Sequence, residues 1–286
     1  MATLRDIKRR IKSVQSTKQI TKAMEMVAAA KLRKATQRAV EARPYANGMI
    51  AVLNSLSSSA VAQAHPLFQK REVKRKALIL VASDRGLCGG YNSNILRALD
   101  LYLKSQTVPV ALYLVGRKSV EYNIRRKREI VARFTDLPTG GDFATAQDIV
   151  RQALDDFLAG RVDQVDLIYT HFISTANRKV VSEGFLPISG EKLAAGETQK
   201  SRDFILEPSP EAIFDALLPR YCNTRIYVAL AEASASEQSA RMIAMGSANK
   251  NAGEMINTLT LTRNRLRQAA ITKELAEIVG GADALA

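Results

Sequence analysis

Three glycines in the first third of the chain lie where phosphate-binding proteins bind their ligand: Gly86, Gly89 and Gly90 follow a predicted strand and precede a predicted helix. Backbone N–H groups at such a turn attract anions. The spacing is not G-x-G-x-x-G, however, and neither Gly-Lys-Ser nor Gly-Lys-Thr occurs in the sequence. We therefore interpret the glycines as a tight turn and expect no bound nucleotide or other cofactor.

The other residue types that support catalysis are few. The two histidines, His65 and His171, lie far apart in the sequence, and no HExxH, GxSxG or CxxC motif occurs. Asp155 and Asp156 are neighbours on a predicted helix, and we interpret them as solvated rather than as a metal site. The sequence therefore predicts no catalytic residue and no metal centre.

The cysteines and the hydropathy pattern indicate the compartment. Cys88 and Cys222 have no metal-ligand spacing, which suits a reducing environment. No apolar run approaches the roughly twenty residues needed to cross a bilayer, and the helical pattern starts at Leu4 without a leader segment. These features favour a bacterial cytoplasmic protein.

The glycine turn belongs to a middle segment, residues 77–207, in which apolar runs of strand length alternate with helical patterns. This alternation predicts a Rossmann-like α/β domain with parallel strands and helical crossovers. The predicted strands are 77–82, 108–115, 129–134 and 165–172, the helices are 92–104, 117–126 and 143–158, further strand segments are 179–186 and 204–207, and 190–200 is a polar loop.

A long C-terminal helix follows, with a start signal at Ser209-Pro210-Glu211. Its apolar positions alternate in spacing between three and four, which is typical of a coiled-coil seam. The seam positions are Met242, Met245, Asn249, Ala252, Ile256, Leu259, Arg263, Leu266 and Ala270. At a length on the order of 100 Å, this helix requires a partner to run along.

The partner is a second long helical pattern near the N-terminus. Its seam begins at Leu4, Ile7, Ile11 and Val14, is interrupted by polar residues 17–19, and resumes at Ala28 in an alanine-rich run that contains Pro44. We expect a kink or a lost hydrogen bond at that proline. The predicted fold is a long antiparallel coiled coil of both terminal helices with an α/β domain inserted between them. The predicted parts are a first helix 1–62, a basic linker 63–76, the α/β domain 77–207 and a last helix 208–286.

The register of the helix pair predicts an unpaired tip. Equal rise per residue makes the numbers of paired positions add up to roughly 268, so the last turns of the C-terminal helix extend beyond residue 1. Ile271, Leu275 and Ile278 are nevertheless apolar. An apolar tip without an intramolecular partner indicates a socket on another protein. A frayed tail is the alternative.

Four long segments carry a resemblance to a known family. Residues 20–33 read ITKAMEMVAAAKLR, and residues 267–279 read RQAAITKELAEIV. Together with SEQSARMIAM at 236–245 and DRGLCGGYN at 84–92, they resemble, in order and over the whole chain, the gamma subunit of bacterial F-type ATP synthases.

The resemblance implies a mechanical function rather than an enzymatic one. It implies a rotating central stalk inside a ring of three alpha and three beta subunits, coupling proton flow through a membrane ring of c subunits to ATP synthesis or hydrolysis at the beta sites. The implied partners also include the epsilon and delta subunits, with one copy of this chain per complex. The implied location is the cytoplasmic face of the bacterial inner membrane.

Particular residues receive roles from the same resemblance. The resemblance implies that Arg267, Gln268 and Thr272 contact a catch loop of the beta subunit. It also implies that Met24 and Arg241 face each other across the lower shaft. The apolar tip becomes a bearing. Contacts at the foot are expected near Asp84, Arg85, Tyr91, Tyr221 and Tyr227.

The charge of the chain leaves two alternatives open. The formal net charge is +14, and residues 1–43 contain twelve Lys or Arg and three acidic residues. A basic coiled-coil protein that binds nucleic acid would have such a charge, but no exposed aromatic pattern or recognised binding fold accompanies it. A nucleotide-dependent enzyme built on the glycine turn is the other alternative. The resemblance instead implies a basic shaft in an acidic ring and no nucleic acid.

Overall fold

The computed structural model describes residues 3–56, 65–137, 141–188 and 210–283. The predicted strand at 204–207 and the predicted loop at 190–200 lie outside the described residues. Two helices are much longer than the others: α1 spans Leu4–Leu56 with 53 residues, and α5 spans Pro210–Asp283 with 74 residues. The chain divides into two compact units. Unit 1 comprises Met1–Ala28 and Met242–Ala286, and unit 2 comprises Ala29–Arg241.

Unit 2 contains a five-stranded sheet in the order β3-β2-β1-β4-β5. The strands β1 to β4 are parallel, and β5 pairs antiparallel with β4. The strands are β1 (Lys76–Val81), β2 (Val110–Val115), β3 (Ile130–Phe134), β4 (Gln164–Phe172) and β5 (Arg178–Leu186), and the crossover helices are α2 (Tyr91–Ser105), α3 (Arg117–Arg125) and α4 (Phe143–Leu158). This arrangement confirms the predicted inserted α/β domain. The four-part division at residues 62, 76 and 207 stays a prediction.

Both faces of the sheet are covered, which explains why its central strands are continuous apolar runs rather than alternating ones. Leu78 and Leu80 of β1 lie in one core together with Ile95 and Leu99 of α2. Their neighbour Ile79 lies in the other core, together with buried residues of α4 and α5 such as Phe157, Phe214 and Leu218. Met49 and Leu53 of α1 also belong to this second core.

A single glycine shapes the turn between β2 and α3. Gly116 has φ of +89°, and a Cβ atom there would lie 2.7 Å from the carbonyl carbon of Ala82 and 2.9 Å from that of Ser83. Such distances are too short for nonbonded carbon atoms, and L-residues avoid this backbone region. Only glycine therefore fits between the ends of β1 and β2.

Unit 1 consists of the first turns of α1 and the distal half of α5, which run antiparallel. Gly246 faces Glu25, and Gly253 faces Lys18, so each pair of numbers adds up to 271, within one helical turn of the predicted 268. The predicted seam residues Ile7, Ile11, Ala28, Met245 and Ala252 are buried. Residues 15–20 are exposed, as the predicted polar interruption requires.

Candidate functional site

The glycine turn after β1 is held by side chains. Ser83 is buried, donates from its hydroxyl to the carbonyl of Arg85 at 2.7 Å, and donates from its backbone N–H to Asn92 Oδ1 at 3.3 Å. Asp84 accepts from the backbone N–H groups of Arg117 at 2.8 Å and Leu137 at 3.1 Å. The side chains of Ser83 and Asp84 thus hold the conformation of this turn.

The last helix, α5, also binds this turn. Arg241 donates to the carbonyl oxygens of Gly86 at 3.2 Å and Arg85 at 3.5 Å, and to Glu237 Oε1 at 2.6 Å. The side chains of Arg241 and Glu237 are 10% and 14% exposed. Burial raises the pKa of Glu237, and the nearby guanidinium of Arg241 only partly opposes this effect. The turn and α5 are therefore joined by a nearly buried, charge-assisted contact.

One residue of the turn projects outward. Leu87 is 63% exposed and has φ of +60°, a conformation that costs a branched residue of order 1–3 kcal/mol. Beside it, Cys88 and Tyr91 form a small buried cluster with Ala240 of α5. The turn therefore presents an apolar side chain on a base that is fixed to the last helix.

The distal end of α5 in unit 1 is exposed. Ile271, Leu275 and Ile278 are 49%, 57% and 69% exposed, and all side chains of residues 271–278 are exposed. Thr272 at this tip bonds within its own helix, since its Oγ1 donates to the carbonyl of Gln268 at 3.0 Å. The apolar stripe predicted for this tip is therefore not buried against the described part of the chain.

Unit 1 also contains a groove of about 680 Å³ at the polar interruption of the seam. Its basic residues are Lys18, Lys22 and Lys250, and Lys22 pairs with Glu25 at 3.2 Å. Lys18 and Lys22 come from α1, and Lys250 comes from α5 together with Gly246 and Asn249. The groove arises because small or polar residues replace the apolar seam there.

The histidines and acidic pairs do not converge on a reaction centre. His171 Nδ1 lies 2.6 Å from Glu232 Oε2, and His65 Nε2 lies 3.2 Å from Asp215 Oδ1. Each is a contact between the sheet or a loop and α5. Among the described residues, no group of three or more His, Cys, Asp or Glu side chains has the proximity needed to hold a metal ion.

The prediction that the Asp155–Asp156 pair is solvated is wrong for Asp156. This residue is 4% exposed, and its carboxylate accepts from Tyr113, from Gln152 at 3.1 Å and from Arg161 at 2.5 Å. Burial raises the pKa of Asp156, but the hydrogen bonds from these three residues outweigh it and lower the pKa overall. Sequence analysis missed the burial of Asp156 because two of its partners, Tyr113 and Arg161, lie outside α4.

The two thiols are unsuited to nucleophilic chemistry. Burial raises the pKa of Cys88, and complete burial raises the pKa of Cys222 to about 12. Both thiols therefore stay protonated at neutral pH, and the thiolate is the reactive form.

No described helix is long and apolar enough to cross a membrane.

Comparison with known proteins decides the family. The sequence model of the family described as ATP synthase matches residues 3–285. An ATP synthase gamma chain of Moorella thermoacetica is 48% identical over 285 residues, which cover 100% of both chains. One from Heliobacterium modesticaldum is 49% identical over 290 residues, again covering 100% of both. This chain belongs to the ATP synthase gamma chain family.

Solved structures of mitochondrial ATP synthases agree with the fold. The central stalk of the Tetrahymena thermophila mitochondrial ATP synthase, determined with its c ring, has a TM-score of 0.63 at 31% identity and covers 80% of this chain and 99% of its own. A chain of the Euglena gracilis mitochondrial ATP synthase has a TM-score of 0.68 at 18% identity and covers 99% and 94%, which supports the fold alone. These matches confirm the gamma-subunit resemblance and give no support to the nucleic-acid-binding alternative.

The residues that received roles from the gamma family occupy different surroundings. Arg267, Gln268 and Thr272 are exposed on the distal part of α5, where another protein can reach them. Met24 is half-buried in unit 1, and Arg241 is the last residue of unit 2. Their pairing across the shaft stays a prediction, as do the contacts of the first three residues with a beta subunit.

The foot residues differ in exposure. Arg85 is exposed and Asp84 is half-buried, whereas Tyr91 and Tyr221 are 6% and 5% exposed. Tyr227 packs edge-on against Phe143, with ring centroids 5.8 Å apart. Contacts of all five with other subunits stay a prediction, and in this gamma-family chain the two buried tyrosines support the fold.

Sequence analysis missed the role of Glu237. A glutamate four residues before an arginine on a predicted helix is a recognisable ion-pair signal, and Glu237 and Arg241 have this spacing. The pair by itself did not indicate that the guanidinium also binds carbonyl groups of the turn after β1, because that contact joins residues 155 and 156 positions apart.

Proposed function

We propose that this chain is the rotating central-stalk subunit of an F-type ATP synthase. The observation that carries the proposal is the match of the whole chain to ATP synthase gamma chains, together with a helical unit whose apolar tip is exposed. In this role the chain is not itself catalytic. It turns inside a ring of three alpha and three beta subunits, with one copy per complex.

The proposed mechanism is a change of conformational preference. An asymmetric shaft presents a different face to each beta subunit as it turns, so that each rotational position stabilises a different beta conformation. The shaft needs torsional stiffness, which close packing of small seam residues such as Ala28 and Ala252 provides. It also needs a tip that slides, which an apolar stripe with few fixed polar contacts provides.

Contacts that form and break during rotation fall to polar side chains near the tip. Arg267 and Gln268 are exposed on α5, and charge-assisted hydrogen bonds from Arg267 to a beta-subunit loop would stabilise one rotational state over the next. Unit 2 contacts the epsilon subunit and the membrane ring of c subunits, and the delta subunit belongs to the same complex. Proton flow turns the c ring and the shaft together at the cytoplasmic face of the bacterial inner membrane.

Reconstitution tests the proposal. The purified chain is mixed with alpha and beta subunits of a bacterial relative, the complex is isolated by size exclusion, and ATP hydrolysis is measured. We expect one copy per three alpha–beta pairs and stimulated hydrolysis. Deletion of residues 268–286 is expected to weaken coupling between rotation and hydrolysis. Failure to form a complex, under conditions in which a Moorella gamma chain assembles, would refute the stalk role.

A further inference from the structure

The charged residues of unit 2 are distributed unevenly between the two edges of its sheet. The amino-terminal edge is formed by residues 70–76 before β1, 104–109 before β2, 125–129 before β3 and 159–163 before β4. These segments contain eleven basic residues and three acidic ones. The basic residues are Lys70, Arg71, Lys74, Arg75, Lys76, Lys104, Arg125, Arg126, Lys127, Arg128 and Arg161, and the acidic ones are Glu72, Glu129 and Asp163. We call this surface the basic edge.

Hydrogen bonds show that the four segments meet at this edge. The backbone N–H of Lys76 donates to the carbonyl of Pro109 at 3.0 Å, and that of Asp163 donates to the carbonyl of Arg75 at 2.9 Å. Arg75 also pairs with Glu129. The segment before β1 is thus bonded to the starts of β2, β3 and β4, and the cations lie on one continuous surface.

The opposite edge is electrically balanced. In its described loops and the first turns of the following helices, three acidic residues face three basic ones: Asp84, Asp136 and Asp142 against Arg85, Arg117 and Lys118. Two of the eleven basic residues pair with acidic residues outside these segments, Arg128 with Asp100 and Arg161 with Asp156. A net charge of about six therefore remains at the basic edge, and it is a property of that edge and not of unit 2 as a whole.

The basic edge lies at the far end of unit 2 from Arg241. Helix α5 starts beside the basic edge, where Phe214 packs on Phe68 with ring centroids 6.0 Å apart and Ile188 donates to the carbonyl of Leu67 at 2.7 Å. It ends within unit 2 at Arg241, which binds the turn after β1 at the opposite edge. The basic edge is thus a terminal face of the unit.

Most acidic groups near the basic edge already accept hydrogen bonds or form ion pairs, whereas some of the basic side chains do not pair with a carboxylate. Glu129 pairs with Arg75, and Asp163 accepts backbone N–H groups of Lys74 and Arg75 at 2.8 and 3.0 Å. Among the residues that the structure describes, Arg125 and Lys127 are exposed and have no carboxylate within ion-pair distance. The surface therefore has cations available for an external anion.

Lys127 occupies a position that normally favours glycine. Its φ is +53°, its N–H donates to the carbonyl of Ile124 at 3.0 Å, and the N–H of Arg128 donates to the carbonyl of Asn123 at 3.2 Å. This is the Schellman motif at the end of α3, in which the left-handed residue is usually glycine. A lysine there has a conformational cost that glycine would avoid.

We propose that the basic edge binds the anionic phospholipid headgroups of a membrane surface. The cations extend over the starts of four adjacent strands, about 15 Å in all, which is too wide for one phosphate ion but suits several headgroups. Ile124 and Val131, 49% and 44% exposed, lie beside the cations, as aliphatic residues do on proteins that bind at lipid interfaces. Because lipids diffuse laterally, such contacts do not hold the protein at one position on the membrane.

Vesicle flotation tests this inference independently of the proposed stalk role. The full chain is mixed with phosphatidylcholine vesicles containing about 30% phosphatidylglycerol, or none. We expect binding only with phosphatidylglycerol, and weaker binding as salt rises. Since each cation near an anionic surface contributes about fivefold, the triple variant Arg125→Gln, Arg126→Gln, Lys127→Gly is expected to bind about 100-fold more weakly.

Two further variants separate lipid binding from general charge and from folding. Arg5→Gln, Lys8→Gln, Lys12→Gln removes the same charge from exposed positions of unit 1 and is expected to bind as the unaltered chain does. Lys127→Gly alone is expected to bind about fivefold more weakly while its thermal midpoint stays equal or rises, because glycine relieves the left-handed backbone. A loss of binding explained by unfolding would lower that midpoint.

Three outcomes would overturn the inference. Equal losses in both triple variants would show that total charge alone drives binding. Stronger displacement by inorganic phosphate than by sodium chloride of equal ionic strength would indicate a phosphate site rather than a membrane surface. No binding to phosphatidylglycerol vesicles, with failure of the edge variant to assemble with the other synthase subunits, would identify the basic edge as a protein interface.

Discussion

Arg241 and Glu237 lie one turn apart on α5, and their ion pair of 2.6 Å is directed at the turn after β1, where Arg241 also donates to the carbonyl of Gly86 at 3.2 Å. One guanidinium thus satisfies a buried carboxylate and two backbone carbonyls. The contact makes the position of the turn, and of the projecting Leu87, depend on the last helix.

Removing only the arginine should be worse than removing both partners. Arg241→Gln leaves Glu237 buried without its counterion, and we expect a loss of roughly 3 kcal/mol in the free energy of unfolding. The double variant Arg241→Gln, Glu237→Gln should lose clearly less, since it buries no charge. Urea unfolding of the two variants and of Glu237→Gln completes a double-mutant cycle. Additive losses would contradict the contact.

The raised pKa of Glu237 predicts a pH dependence with a definite sign. A carboxyl group whose pKa is higher in the folded state favours folding when protonated, so its contribution is present at low pH and is lost as pH rises through the folded-state pKa. We therefore expect Glu237→Gln to gain stability relative to the unaltered chain as pH rises from 4 to 7. Unfolding midpoints at several pH values measure this difference, and a constant difference would contradict it.

The turn between β2 and α3 should tolerate no side chain at Gly116. Gly116→Ala places a Cβ atom against the backbone of Ala82 and Ser83 at a positive φ, and we expect a destabilisation of about 2–4 kcal/mol. Gly160→Ala is the control, because Gly160 also has a positive φ, of +68°, but has open space around it. Thermal unfolding should show a much smaller loss in the control.

The apolar tip should affect the complex and not the isolated chain. Ile271→Gln, Leu275→Gln, Ile278→Gln changes exposed positions, so the free energy of unfolding of the isolated chain should change by less than about 0.5 kcal/mol. Stimulation of ATP hydrolysis in the reconstituted complex should fall.

The matched control for the tip is Lys273→Gln, Glu274→Gln, Glu277→Gln in the same turns of α5. It should keep the stimulation, because it leaves the apolar stripe intact. Equal losses in the two triple variants would show that the stripe has no special role.

Periodic and local features of the fold could be predicted from the sequence. The seam of Ile7, Ile11, Met245 and Ala252 follows from spacing alone, because a coiled coil buries every third or fourth residue. The predicted helix at 143–158 coincides with α4, whose start is capped by Asp142 accepting from the N–H of Thr145 at 2.9 Å. Such signals lie within a few residues of each other.

Contacts between distant elements could not be predicted in the same way. Burial of Asp156 depends on Tyr113 from β2 and on Arg161 beyond the end of α4, and a sequence pattern does not show which polar residue a folded core will satisfy. The basic edge could not be predicted either, because its cations come from four separate segments of the sequence. Only the sheet topology brings them to one edge.

The order in which unit 1 is synthesised has a consequence for biogenesis. Its first part ends at Ala28, and its second part begins at Met242. At a translation rate of about 5–20 residues per second, roughly 10–40 s pass between them. During that time the sheet of unit 2 can fold while the basic N-terminal helix emerges from the ribosome without its antiparallel partner. Premature termination late in the message would therefore release a chain with a folded sheet and an unpaired N-terminal helix.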